Sequence, residues 1–192
     1  RGLGDVYKRQ HHDLGILGAA DHAAAERRRI RLMKESGFDA IRAAHNPFGP
    51  AFLDACDELG MLVVEEAFDE WVMGRTSFGL HVTFEQCWEK DLEDMITRDY
   101  NHPCIVMWST GNEVEERDGT ADGFAWAKRL ADKVRSLDAS RPVSATACAL
   151  FSEYGNRPAG GTTGNQALNM AYDTFAEGRD IWGPGTAPSV SY

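Results

Sequence analysis

The chain has 192 residues, 43% of them hydrophobic, and a formal net charge of 20 − 30 = −10, which is enough apolar content for one domain with a sizeable core. No basic run stands out, arguing against nucleic-acid binding, and no apolar run approaches the roughly 18 residues of a membrane-spanning helix. Cys56, Cys87, Cys104 and Cys148 are widely spaced, with neither a CxxC pair nor a metal-ligand pattern, so they read as free thiols and leave the compartment, cytoplasmic or periplasmic, open.

Past an opening decapeptide, RGLGDVYKRQ, residues 19–36 are rich in Ala, Glu, Arg, Leu and Met and predict a helix. Ile30 and Met33 face the core, Arg27, Arg28, Arg29 and Arg31 form a solvated face, and Gly37 closes the helix. Residues 38–44 predict a strand with Arg42 inside it, where a guanidinium needs a buried carboxylate partner. Pro47 keeps Asn46 out of the helical region and ends that strand at His45-Asn46-Pro47. Phe52, Cys56 and Leu59 give a short helix an apolar face, with Gly60 as its stop.

Met61-Leu62-Val63-Val64 predicts the next strand, with Glu65 and Glu66 at its end and Asp69, Glu70 and Trp71 close behind. So many carboxylates in one place raise the question of a divalent cation, but no convincing ligand His follows Glu65, and no metal is assigned. Residues 72–82 form a loop. Phe84, Cys87, Trp88, Met95 and Ile96 mark one face of a long helix, which makes Trp88 core, and Asn101-His102-Pro103 breaks that helix.

Ile105-Val106-Met107-Trp108-Ser109-Thr110 then reads as a strand buried on both faces, ending abruptly in Gly111-Asn112-Glu113. A carboxylate at a strand end, beside an amide able to bind a hydroxyl, suits acid/base work on a sugar. The competing reading makes Glu113 the start of an exposed charged loop running on through Glu115, Glu116, Arg117 and Asp118. Phe124, Ala127, Leu130, Ala131, Val134 and Leu137 outline a further helix, residues 138–142 a turn, and residues 143–147 a fifth strand. Beyond it come a Gly-rich loop over 157–164 and a weak helix over 166–176. Strand and helix alternate throughout, as in an α/β fold with a parallel sheet.

Trp108-Ser109-Thr110-Gly111-Asn112-Glu113 resembles the acid/base signature of glycoside hydrolase family 2, the β-galactosidase and β-glucuronidase family. His11-His12-Asp13-Leu14-Gly15-Ile16-Leu17-Gly18, Ile41-Arg42-Ala43-Ala44-His45-Asn46-Pro47, Glu66-Ala67-Phe68-Asp69-Glu70-Trp71 and Arg98-Asp99-Tyr100-Asn101-His102-Pro103 are similar to other stretches of that family, in the same order. The Phe-Asp-Glu-Trp and His-His-Asp variants look like its β-galactosidase branch.

The resemblance implies a partial (β/α)8 TIM barrel. A whole barrel needs about 250 residues, so residues 11–192 would be the first five to six βα units of a truncated catalytic domain. The family has an apolar strand where residues 1–10 stand, and these ten are expected to be a junction segment. The resemblance makes Glu113 the acid/base of a retaining β-glycosidase, Asn112 a partner of the sugar 2-hydroxyl, and His45 and His11 pocket imidazoles. Arg42, Glu65 (where the family usually has Asp) and Trp71 would support the site, Trp71 as a stacking floor or packed beneath its loop.

The nucleophile is expected beyond residue 192. Glu153 has a suitable Ser-Glu setting, but follows Glu113 by only 153 − 113 = 40 residues, too few for the intervening strands, and the chain as given is expected to be inactive. The expected partner is a carbohydrate, with neither nucleic acid nor membrane. A divalent cation and a homo-oligomeric parent enzyme stay open, as do β-glucuronidase, β-mannosidase and non-catalytic carbohydrate-binding alternatives.

Overall fold

Strands β1 (Asp5–Gln10), β2 (Phe38–Ala44), β3 (Leu62–Glu66), β4 (Ile105–Asn112) and β5 (Val143–Thr146) pair in sequence order, each parallel to the next. They are connected by α1 (Ala23–Glu35), α2 (Pro50–Leu59), α3 (Phe84–Asp99) and α4 (Gly123–Leu137). This computed structural model describes residues 5–10, 14–18, 20, 22–118 and 120–146. Within them the α/β architecture amounts to four βα units and a fifth strand, consistent with part of a (β/α)8 barrel. The expected fifth and sixth units, the helix over 166–176, Cys148 and Glu153 lie outside the described residues.

β1 falls in the decapeptide that the sequence reading sets aside. Its backbone runs beside β2, Val6 opposite Ala40 and Gln10 opposite Ala44. Parallel pairing uses main-chain groups that every non-proline residue carries, so a segment of unpromising composition can still supply a strand.

The helices follow their sequence signals closely. α2 begins with Pro50 at its first turn and ends at Gly60, whose φ of 69° is the left-handed conformation that glycine adopts without penalty. Phe52, Leu53 and Cys56 are buried against the sheet, and Phe48 stacks on Phe52 at 3.9 Å between centroids. In α1, Ile30 and the partly buried Met33 join the core as expected. Arg29 does not sit on the solvated face; it lies folded onto the buried Glu26 carboxylate at 2.8 Å. The i, i+3 spacing puts the two on one stripe of the helix. On α4 the buried aromatic is Trp126 rather than Phe124, and it meets Phe84 and Trp88 of α3 edge-on at 5.3 and 5.7 Å. No helix among the described residues is long and apolar enough to cross a membrane.

The amino end of the sheet is closed by polar staples. Asp57 of α2 accepts the Cys104 N–H at 2.8 Å and sits 2.7 Å from His102 Nδ1. Just after α4, Asp138 accepts the Trp108 indole N–H at 2.8 Å, the Ser140 N–H and hydroxyl, and Arg141 at 2.7 Å. Arg141 in turn donates to the carbonyls of Tyr100, His102 and Ile105. Burial by itself would raise the Asp138 pKa, but the donors around the carboxylate outweigh it and hold the group well below its ordinary value.

A depressed carboxyl pKa stabilises the fold above the unfolded-chain value and loses that contribution as pH falls. Asp138→Asn is therefore expected to cost about 2 kcal/mol at neutral pH. The gap to wild type should narrow below about pH 4, as followed by urea denaturation across pH.

Candidate active site

The carboxyl ends of β2, β3 and β4 converge on one buried ion pair. Alternation along β2 sends Ile41 and Ala43 into the apolar core and Arg42 to the opposite face. There Arg42 donates to Glu66 Oε2 from Nε at 2.9 Å and from Nη2 at 2.6 Å, and Nη2 also reaches Asn112 Oδ1 at 2.9 Å. The partner carboxylate expected for Arg42 is thus Glu66, with no exposed surface. Glu66 further accepts the Ser109 hydroxyl at 2.9 Å, and its Oε1 lies 2.7 Å from His45 Nδ1. Three strand ends and the loop after β2 are tied through one carboxylate.

Asn112 joins this cluster through a backbone irregularity. It lies three residues after Ser109, a spacing that strict alternation would send to the other face. The β4–β5 register shifts between Ser109 and Asn112, and the shift brings both side chains to the Arg42–Glu66 pair. With Oδ1 on Arg42, the Asn112 amide donates from Nδ2 to Asp69 Oδ1 at 3.0 Å. Arg75, from the loop after β3, donates to the Asp69 carboxylate at 2.9 Å and to the Asn112 carbonyl at 3.0 Å.

Glu113 follows directly, with a φ of 45°. A non-glycine residue in the left-handed region costs on the order of 1 kcal/mol or more and is concentrated at functional sites. Beyond it the chain turns down: Glu116 is buried, with Oε1 accepting the Met73 N–H and Oε2 without a hydrogen-bond partner among the described residues. Burial pushes the Glu116 carboxyl above its ordinary pKa. The charged-loop reading of this stretch therefore fails for Glu116, which pins the loop after Glu113 to the loop after β3.

Two expected supporting residues stand elsewhere. Glu65 points away from the cluster, because it is adjacent to Glu66 on β3 and neighbouring strand residues face opposite sides; its Oε1 accepts the Phe48 N–H at 2.7 Å. Trp71 is only 2% exposed and donates to the Thr110 carbonyl at 2.8 Å, so it packs beneath the strand end and offers no open stacking floor. Gly111 makes that packing feasible: a Cβ there would lie 2.8 Å from the Trp71 indole nitrogen. His45 and Asn112 are brought together with Arg42, whereas His11 lies outside the described residues. Glu66, Asp69 and Arg75 carry the network without having been assigned roles from sequence. The one available signal was the parity of Glu65 and Glu66.

A cleft of about 620 Å³ opens between the loops after β2 and β3 and α3; His45 and Asp69 of the network border it, with Phe68, Leu80, Met95 and Arg98 among its other walls. Three of the carboxylates at this end already have donors. Glu66 is matched by Arg42, Asp69 by Arg75, and Glu70 by the backbone N–H groups of Arg75 and His81 and the His81 ring. Among the described residues, the group able to hold a divalent ion is Asp57, His102 and Cys104, whose donor atoms lie within 4.8 Å of one another. It belongs to the opposite, amino end of the sheet.

The model of the glycosyl hydrolases family 2 TIM barrel domain matches residues 8–156. The beta-galactosidase BoGH2A of Bacteroides ovatus is 38% identical, over 70% of this chain and 19% of its own length. A solved family 2 glycosyl hydrolase from Bacteroides cellulosilyticus superposes with a TM-score of 0.72 at 43% identity, covering 75% of this chain and 18% of that one. The beta-galacturonidase of Eisenbergiella tayi, solved with galacturonate bound, gives 0.65 at 31% identity, over 76% and 25%. The chain thus spans about a fifth of the length of the Bacteroides ovatus relative.

Removing the Glu66 carboxylate leaves Arg42 charged and uncompensated in a site where it is only 17% exposed. Glu66→Ala is expected to cost about 3–5 kcal/mol. Ser109→Ala, which removes one neutral donor, should cost about 1 kcal/mol. Urea denaturation of the two variants beside wild type measures both.

Proposed function

Because the chain belongs to glycosyl hydrolase family 2, through the TIM barrel domain that its residues 8–156 match, we propose that it supplies the acid/base half of a retaining β-glycosidase acting on β-galactosides. The observation that carries this reading is Glu113 at the carboxyl end of β4, directly after an Asn112 amide held at both of its ends. In a barrel, that end of the strands is where substrates are handled.

In this reading Glu113 protonates the glycosidic oxygen as the bond to the anomeric carbon breaks. A second carboxylate, about 5 to 5.5 Å away in a double-displacement enzyme, attacks that carbon from the opposite face of the sugar. We assign this nucleophile to a part of the barrel beyond the described residues. Water then attacks the glycosyl ester, Glu113 takes its proton, and the sugar leaves with its anomeric configuration retained.

The neighbours have defined parts. With Asn112 Oδ1 engaged by Arg42 and one Nδ2 hydrogen by Asp69, the other Nδ2 hydrogen is left to donate to the sugar 2-oxygen, a bond that strengthens as positive charge develops on the ring. Glu66 at 2.7 Å from His45 Nδ1 places the proton on that nitrogen and turns Nε2 toward a sugar hydroxyl. Asp69, half exposed at the mouth, adds an acceptor.

A neutral sugar suits these side chains better than a uronate. Arg42 is committed to Glu66 and Asn112, and Arg75 to Asp69 and Asn112, so these two guanidinium groups already have acceptors. The Bacteroides ovatus beta-galactosidase agrees with this choice, while the Eisenbergiella tayi beta-galacturonidase supplies the competing substrate.

The test is hydrolysis of aryl β-galactoside, β-glucuronide and β-mannoside by the protein extended to the length of its relatives, beside Glu113→Gln. The galactoside should be preferred, and the variant should lose about 10²- to 10⁴-fold in kcat/KM on poorly activated leaving groups. Azide, an anionic nucleophile that needs no general base, should restore turnover of an activated substrate. Hydrolysis unaffected by the substitution would remove Glu113 from the mechanism.

A further inference from the structure

Glu65 and Glu66 are consecutive on β3 and both have no exposed surface, yet they hold the same loop from opposite faces of the sheet. Glu66 takes the His45 ring at 2.7 Å on the pocket side. On the other side, Glu65 Oε1 accepts the Phe48 N–H at 2.7 Å. The carbonyl of that same residue accepts Arg98 Nη2 at 2.6 Å, and Arg98 is fixed in turn by two contacts of 2.6 Å to the buried Asp99. Phe48 is thus held at both of its backbone polar groups, and its ring is clamped on Phe52. Only Asn46 and Pro47 separate it from His45, and Pro47 removes a backbone freedom from that short span.

We propose that Glu65, with Arg98, is a positioning residue for His45: by locking the Phe48 peptide three residues on, it sets where the imidazole meets Glu66 and the sugar. The functional part of this inference rests on the pocket reading above. The resemblance makes Glu65 a support of the site; here its carboxyl stands on the opposite face of β3 from the Arg42–Glu66 pair and acts through the loop.

The chemistry of the Glu65 site fits a neutral acceptor. Burial is the main influence and drives the carboxyl well above its ordinary pKa. The Phe48 N–H opposes the rise, the Asp99 charge adds to it, Arg98 opposes it again, and the Glu66 charge adds to it last. Its second oxygen, Oε2, has no hydrogen-bond partner among the described residues. What Glu65 supplies is an oxygen at the right reach, and a glutamine can supply the same oxygen without the charge.

The test uses this chain and NMR, with Glu65→Met, which keeps the volume and removes the acceptor, and Glu65→Gln, which keeps it. In Glu65→Met the Phe48 amide should exchange with solvent at least tenfold faster relative to the Ile41 amide of β2. The His45 ring nitrogens should move from the fixed Nδ1–H tautomer toward the averaged shifts of a free imidazole. Glu65→Gln should restore both. If Glu65→Met does not fold, Glu65→Asp, one methylene shorter, carries the same two readouts. Faster Phe48 exchange with an unchanged His45 tautomer would make Glu65 merely structural and overturn the proposal, as would unchanged Phe48 exchange. Neither readout needs turnover, so a protein that fails to hydrolyse glycosides would count against the functional reading alone.

Discussion

The buried Arg42–Glu66 pair is the constraint on which the carboxyl end of this sheet depends. Taking two charges out of water costs several kcal/mol per ion, recovered only when the remaining donors and acceptors are also satisfied. Here they are shared out among Asn112, Ser109 and His45. Those partners come from β4 and from the loop after β2, so the ion pair does more than hold two strands together. It holds the Asn112 amide through Oδ1 and the His45 ring through Nδ1.

The remaining polar groups of the site are organised around that pair in layers. Asp69 and Arg75 cover Asn112 from the loop after β3, and Glu116 ties the loop after Glu113 to the same segment through the Met73 N–H. Beneath them Trp71 fills the space that the missing Gly111 side chain leaves open. Glu113 is therefore carried on a short, twice-anchored segment in a left-handed conformation that a free loop would abandon. Its neighbours on both sides hold the backbone there.

The two ends of the sheet are built on different principles. At the amino end, Asp57 and Asp138 accept backbone N–H groups and Arg141 donates to backbone carbonyls, and the residues at positive φ there are the glycines Gly37 and Gly60. At the carboxyl end, polar side chains face a cleft, and a register irregularity re-aims Asn112. This asymmetry is what a barrel uses to separate stability from function. It also separates the Asp57, His102 and Cys104 donor set from the proposed glycosidase site.

Much of the fold could be read from local patterning, because caps, prolines and apolar periodicity act within a few residues of where they stand. Gly60 ended α2, Pro47 ended the strand before it, and the apolar run from Ile105 ran into Asn112 and Glu113 as a strand end should. The motif around Glu113 further identified the family. What the sequence could not decide were matters of facing and distance. Which of Glu65 and Glu66 enters the pocket depends on the phase of β3. Whether Asn112 lies beside Ser109 depends on a register shift against β5. Whether Trp71 and Glu116 are exposed depends on how two loops far apart in the chain fold over each other. A sequence specifies each residue's chemistry and its local conformational preference; only the packed sheet brings Arg42 to Glu66 across a separation of 24 positions and to Asn112 across one of 70, and the burial of that contact decides what every neighbouring group can do.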